Sequence, residues 1–407
     1  MSYTNRSKVA LLRCAATTAE PEITARTQEA ISTVGGLRER LAGKRKILIK
    51  PNIGIDRVVL TGGRQTELTE PSVVEGVIRS LREVTDAEII IGDAPTDDTA
   101  DTLYEKMGYT AMAARYPNVR MVDFGKGPFV EVEVSGLDGA PPAQFHRYWL
   151  HRELAEVDAS VSVAKMKAHV SLGCTLCIKN LFGLTPWRVY GQPRMYLHDR
   201  LIRLPRVQVD LALFFRPTLC VVDGIMTANH GEWHGTPIET GVLIAGDNIV
   251  ATDSVGMQVM GFNPMGDYPS HPHWYRRNSI LLAHQAGLGS ADPADIDVLG
   301  VDPAAVRQQF EVKPYGEGNA ARAAELAAGN RCVNHYQEHR DRYVEQYRNR
   351  YLTFRDGELL WDTADMLESQ RLEKERITDW KQAPHFTIQA LPLAQEPERL
   401  ETYATGG

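Results

Sequence analysis

The chain has 407 residues, 43% of them hydrophobic and 24% charged, which is the composition of a globular protein with a sizeable core. A net charge of −7 excludes nucleic acid as a principal partner, because a phosphate backbone selects basic surfaces. No run approaches the roughly 18 apolar residues of a membrane span, and five widely spaced cysteines, an odd number, argue against a disulfide framework.

The first half alternates short β-rich runs with helical patterns. Residues 9–14 read as a strand, 23–41 as a helix and 46–50 as a second strand, stopped by Pro51-Asn52. A glycine loop, Thr61-Gly62-Gly63-Arg64, comes next. Thr69-Glu70-Pro71 reads as a helix start, with Thr69 as the cap and Pro71 in the first turn, and the helix runs to about residue 84. Residues 87–92 form a buried strand that ends in Asp93. Strand, helix and strand joined by right-handed crossovers give a parallel sheet covered by helices.

Residues 124–156 have a different character. Apolar and charged residues alternate from Phe129 to Val134, as in a half-exposed antiparallel strand, so this stretch is expected as an insertion or edge hairpin. Residues 157–163 resume a buried strand. Later strands are expected at 218–222, 241–245 and 295–301, with helices near 197–215, 249–260 and 274–286. From 317 the chain turns charged, aromatic and helical: Tyr336, Tyr343, Tyr347 and Tyr351 are spaced to share one helix face, and Asp356-Gly357 marks a hairpin. Pro384, Pro392 and Pro397 make the last 25 or so residues an extended arm. The expected fold is α/β: a mostly parallel sheet covered by helices, with a small antiparallel insertion and a helical C-terminal extension. The α/β core is expected over 1–316 and the extension over 317–407, which is also the expected contact in any homo-oligomer.

Several landmarks together resemble the family known as domain of unknown function 362. They are Lys50-Pro51-Asn52 after a strand, Thr69-Glu70-Pro71 opening a helix and Gly92-Asp93 ending the next strand. Ala164-Lys165-Met166-Lys167-Ala168-His169, followed by Lys179-Asn180-Leu181-Phe182-Gly183, matches the most specific part of its pattern. The segments around Asp223-Gly224, Gly246-Asp247 and Thr252-Asp253 match its C-terminal half. The resemblance spans roughly residues 8–302 and implies an α/β core, with no general activity attached to it. Some relatives carry a ferredoxin-like cysteine module; this sequence has no such run, and so no iron–sulfur signature.

The residues themselves suggest a site. Lys165, Lys167 and His169 alternate along an extended segment at the end of a buried strand, where parallel sheets place their ligand crevices. Two ammonium groups and an imidazole there suit an anion, or lower one another's pKa into the acid–base range. A solvated strand end has the same composition. Lys179 and Asn180 follow within reach, and Lys50 and Asn52 stand at another strand end. Asp93, Asp223, Asp247 and Asp253 fall at strand ends or helix starts, where each fits a helix cap as well as a proton-transfer group. The expected catalytic set is Lys165, Lys167, His169 and Asp93, with Asp97-Asp98 making the following loop acidic. The expected substrate-binding set is Lys50, Asn52, Lys179, Asn180 and Asp253.

His230-Gly231-Glu232-Trp233-His234 departs from the small glycine-rich turn that the family resemblance implies here. In an extended loop His230, Glu232 and His234 point the same way, which suits a divalent metal, zinc or iron; a polar surface loop stacked on Trp233 is the alternative. His271 and His273 offer further nitrogen. Cys174 and Cys177 have the two-residue gap of a metal or redox pair, but packing of small residues explains them equally. His335 and His339 lie one turn apart in a charged helix. Neither a Gly-Lys-Ser/Thr phosphate loop nor a Gly-x-Gly-x-x-Gly turn is present, so there is no nucleotide signature.

Together these features point to an enzyme of small-molecule metabolism that acts on a small anionic molecule by acid–base or metal-assisted chemistry. The alternative is a non-catalytic ligand-binding or assembly protein. The N-terminal segment lacks the apolar run of a secretory signal, so the expected location is cytoplasmic, away from membranes.

Overall fold

The computed structural model describes residues 6–55, 57–96, 100–191, 194, 196–198, 203–313, 331–377 and 385–391. In chain order the strands are β1 (Ser7–Arg13), β2 (Lys46–Pro51), the short pair β3 (Leu60–Thr61) and β4 (Arg64–Gln65), β5 (Glu88–Asp93), β6 (Val119–Asp123), β7 (Phe129–Glu133) and β8 (Arg147–His151). Then follow β9 (Ala159–His169), β10 (Gly173–Thr175), β11 (Leu219–Asn229), β12 (Thr236–Gly246) and β13 (Ile296–Gly300), and finally β14 (Tyr351–Arg355), β15 (Glu358–Thr363) and β16 (His385–Gln389).

The main sheet has the order β13-β1-β12-β11-β9-β2-β5-β6, with β10 pairing on the flank of β9. All of the strands on that path run parallel except β12, which is antiparallel to β1 and β11. The central strands are apolar on both faces, as a sheet covered on both sides requires. Ile47, Ile49, Ile89, Ile91, Val161, Val163 and Val221 pack beneath the helices Glu20–Val34 and Pro71–Arg82. Leu48, Ile90, Ala164, Met166 and Val222 face the helices Cys177–Leu181, Arg203–Phe215 and Ile249–Val259. The helix Pro71–Arg82 shows why these segments fold as they do. Val73, Val74, Val77, Ile78 and Leu81 repeat at helical spacing and are fully buried, each contributing roughly 1.5–3 kcal/mol.

The inserted hairpin is present as β7 paired with β8, and Asp210 ties it down. That buried carboxylate accepts the N–H groups of Ala143, Gln144 and Phe145 and the Tyr148 hydroxyl at 2.6 Å. Some expected boundaries move. The strand expected at 157–163 runs to His169, and the one expected at 218–222 runs to Asn229. Thr69 is not a helix cap: the N-cap position is Glu70, while the Thr69 hydroxyl donates to the Val163 carbonyl and accepts the Asn52 N–H. Part of the helix expected at 197–215, the loop carrying Asp97 and Asp98, and most of the proline-rich arm lie outside the described residues.

The C-terminal extension packs on the chain's own core. Tyr336, Tyr343, Leu352, Phe354, Phe386 and Ile388 belong to the same apolar cluster as the Arg203–Phe215 helix. Tyr336 stacks on Tyr343 at 5.9 Å, and Phe354 meets Tyr343 edge-on at 5.2 Å. Tyr351 leaves the expected helical stripe, because the helix Arg340–Tyr347 ends before it and Tyr351 opens β14. The hairpin turns at Asp356-Gly357, both at positive φ, and β16 pairs β14 on its other edge.

This extension is seated where Phe386 meets Gly191. A Cβ on Gly191 would lie 2.4 Å from Phe386 Cε2 and 2.6 Å from the Thr387 carbonyl, at a φ of 70–80° that side chains avoid. Gly191→Ala should therefore lower stability by ~3 kcal/mol. Gly62→Ala, at positive φ but with open space around it, should cost only ~1 kcal/mol. Thermal unfolding of the two variants checks this; a Gly191→Ala melting temperature equal to wild type would mean that the seat is absent.

Candidate functional site

Four parallel strands, β2, β5, β9 and β11, bring their C-terminal ends to one edge of the sheet. Pro51, the last residue of β2, pairs with Val163, and β9 then runs on to His169 with β10 beside it in place of β2. Alternation along this overhang sets Lys165, Lys167 and His169 on one face. All three side chains are buried.

Most of the expected site residues spend their polar groups inside the fold. Lys50 Nζ lies 2.7 Å from Asp93 Oδ2 and donates to the Pro51 carbonyl and Asn180 Oδ1. Asp93 also accepts the Ile53 and Ala94 N–H groups, and the Asn180 amide donates to the Lys50 carbonyl and Ser162 Oγ. Lys165 pairs at 3.0 Å with Asp223, its cross-strand neighbour on β11. Asp223 also accepts the Glu70 N–H at the start of the helix Pro71–Arg82, where a negative charge opposes the helix dipole. Asp253 accepts the Cys177 and Ile178 N–H groups, both at 2.8 Å. It caps the helix Cys177–Leu181 from a distance. Lys50, Lys165, Asp93 and Asn180 thus hold the edge together through contacts within the fold.

Lys167 is different. Its ammonium donates to Asn52 Oδ1 at 3.2 Å and to the Glu67 carbonyl at 2.8 Å, and it stands 3.9 Å from the Trp233 ring centroid. Among the described residues no carboxylate makes an ion pair with it. Burial pulls its pKa from 10.5 down to about 7, with Glu232 opposing and Lys179 assisting the fall. Lys179 stands over the Phe182 ring, and burial lowers it to about 8. His169 Nδ1 accepts the Ser171 and Leu172 N–H groups, which leaves the ring proton on Nε2, 3.2 Å from Glu232 Oε1. Burial holds this imidazole neutral, with a pKa of about 4, so it donates a hydrogen bond and takes no proton.

The expected metal triad does not converge. His230 and His234 have φ of 67° and 57°, so the loop is not extended and alternation fails. His230 turns to Thr236 and Glu311, Glu232 to His169, and His234 to Arg57. Among the described residues no group of three or more His, Cys, Asp or Glu side chains is placed to hold a metal. His271 packs edge-on against Phe262, and His273 is buried beside Gly173. Burial pushes the Cys174 and Cys177 thiols up, opposite to what a redox or zinc pair needs. His335 and His339 stack on each other at 4.5 Å, away from the edge.

The structure adds residues that the sequence reading missed. Arg194 is buried and bonded to the carbonyls of Thr185, Gly183 and Ala94, and burial lowers its pKa to about 10. His198 lies against Phe182, and Arg276, Lys179 and Arg194 act on its charge. No periodicity marks these positions, which come from irregular segments. Glu67 was also missed; its carboxylate pairs with Arg57, and its carbonyl holds Lys167. A cavity of about 580 Å³ opens at the opposite edge of the sheet, lined by Arg40, Lys44, Arg216 and Asp247 among others, so that Asp247 stands apart from Asp93, Asp223 and Asp253.

The two kinds of lysine should respond differently to pH. A lysine whose folded pKa is depressed destabilises the fold when charged, so the penalty is full below pH 7 and disappears as pH rises toward 10.5. Lys167→Met should therefore gain on wild type at pH 6 relative to pH 10, with a ceiling of ~5 kcal/mol for that difference. Lys165→Met leaves Asp223 buried without its partner and should cost ~3–5 kcal/mol. Urea unfolding of both variants across pH 6–10 measures these differences.

Over 237 residues, 58% of this chain and 68% of the relative, the sequence is 28% identical to a thylakoid-associated protein of Synechocystis sp.. Two solved structures overlap it in part. The lactate racemase apoprotein from Thermoanaerobacterium thermosaccharolyticum matches with a TM-score of 0.37 and 13% identity, over 60% of this chain and 54% of that one. A Thermotoga maritima protein matches with a TM-score of 0.32 and 12% identity, over 56% and 55%. The chain thus spans about half the length of each solved structure. No helix among the described residues is long and apolar enough to cross a membrane. Residues 47–258, carrying β2 through the helix Ile249–Val259 and with them the whole lysine-bearing edge, match one family throughout, and the chain belongs to it: the domain of unknown function DUF362.

Proposed function

We propose that this protein is an enzyme that binds a small anion at the C-terminal edge of the sheet and exchanges a proton with it through Lys167. The observation that carries this reading is the contrast among the buried lysines. Lys50 and Lys165 each have a carboxylate within 3.0 Å, whereas Lys167, among the described residues, contacts only neutral oxygens and a ring. A buried ammonium without a counter-ion is costly unless a ligand supplies the charge or the group gives up its proton. Lys167 can do both near neutral pH.

The neighbours divide the work. Lys179 and Arg194 supply positive charge for the anion. His169, fixed as the Nε2–H tautomer, offers one directed hydrogen bond and not a base. Asn52 and the Glu67 carbonyl aim the Lys167 amine, and Trp233 keeps water from it.

Proton exchange is read directly by NMR in deuterated buffer, with a panel of small anions that carry an acidic C–H bond, such as 2-oxo acids and phosphorylated ketones. Wild type should wash deuterium into at least one of them, at a rate that rises through about pH 7 as Lys167 loses its proton. Lys167→Met should be slower by ~100-fold or more. Equal exchange in the variant would remove Lys167 from the chemistry, and binding without exchange would leave a binding protein.

A further inference from the structure

Glu232 is held unlike the four buried aspartates of the sheet and its covering helices. Asp93, Asp210, Asp223 and Asp253 each accept two or more backbone N–H groups. Glu232 has instead the His169 imidazole at 3.2 Å and the charges of Lys179 and Lys167. Burial pushes its carboxyl up, and His169, its own backbone N–H and the two lysines together outweigh the burial, so it sits below the usual range. Its side chain is 23% exposed, in a loop that leaves β11 at Asn229 and turns back into β12 at Thr236.

The partners of Glu232 form a carboxylate receptor. One directed N–H comes from a neutral imidazole, and the charges of Lys167 and Lys179, neither of which makes an ion pair among the described residues, act on the carboxylate. None of these groups belongs to the Glu232 loop: His169 and Lys167 stand on β9, and Lys179 on the helix Cys177–Leu181. Trp233, next in sequence, covers Lys167. The loop is hydrogen-bonded at its two ends, where Asn229 Oδ1 accepts the His230 and Glu311 N–H groups and the His234 N–H donates to Glu67, and between them Trp233 packs on the core and over Lys167. Glu232 can therefore swing away while both ends of the loop stay fixed.

We infer that Glu232 is a built-in stand-in for the ligand's carboxylate: the substrate class is a small carboxylate that displaces Glu232 from His169, Lys167 and Lys179, and lifts Trp233 as it enters. This rests on the anion-site reading above. The displaced carboxylate moves to solvent, so the net charge of the crevice is unchanged when one carboxylate replaces another. Inorganic phosphate, mostly the monoanion at pH 6.5, matches that charge but presents a tetrahedral set of oxygens where Glu232 presents a planar carboxylate.

The test is calorimetric titration of the full chain with acetate and with inorganic phosphate, at pH 6.5 and constant ionic strength. The proteins are wild type, Lys167→Met, Glu232→Ala, Glu232→Gln and the double variant Glu232→Ala with Lys167→Met. Removing the internal competitor should tighten acetate binding at least tenfold in both single variants and leave phosphate the weaker ligand. The double variant should lose that gain. The glutamine variant keeps the loop's shape, so it stands if the alanine variant does not fold. If acetate binds wild type and is lost with Lys167→Met, but is no tighter without Glu232, the stand-in idea fails and the anion site survives. Phosphate binding more tightly than acetate would overturn the carboxylate assignment. If no variant binds either anion, both readings fail.

Discussion

Burying a cation at the end of a parallel sheet creates a debt of charge that must be met locally, and the rest of this edge is arranged around how it is met. Two ammonium groups, those of Lys50 and Lys165, are neutralised by Asp93 and Asp223, and those carboxylates are themselves anchored by backbone N–H groups. The pairs join β2 to β5 and β9 to β11, and so they set the positions of the strand ends that carry everything else. Lys167 lies between them in the same buried layer and lacks such a partner among the described residues.

Fold class was legible because burial on both faces writes long apolar runs into the central strands, and helical spacing writes Val73, Val74, Val77, Ile78 and Leu81 into the helix beside them. The shared face of Lys165, Lys167 and His169 was legible for the same reason, since extended backbone alternates. Which lysine is free was not legible. Asp223 is 58 residues from Lys165, and only the register of β9 against β11 sets the two opposite each other. The family resemblance, carried by the segment from Ala164 to Gly183, pointed to this edge without assigning any role within it.

The loop from Asn229 to Thr236 failed in sequence for an instructive reason. Alternation of His230, Glu232 and His234 carries meaning only on extended backbone, and two left-handed residues turn the histidines outward. Glu232 alone remains aimed at the crevice. The same three residues therefore have a role that depends wholly on two backbone angles, which residue types only weakly predict. Thr69 taught the same lesson at a smaller scale, tying β2 to β9 where its position suggested a cap.

The central claim is that one buried lysine at this edge has no ion-pair partner among the described residues and changes charge near neutrality. Its most direct measurement is a pH titration of the lysine side-chain Cε resonances by NMR, with isotope-labelled lysine in the ligand-free chain. The account predicts one Cε signal that titrates near pH 7 and is missing from Lys167→Met. A Lys167 signal that titrates above pH 10, beside the exposed lysines, would contradict it.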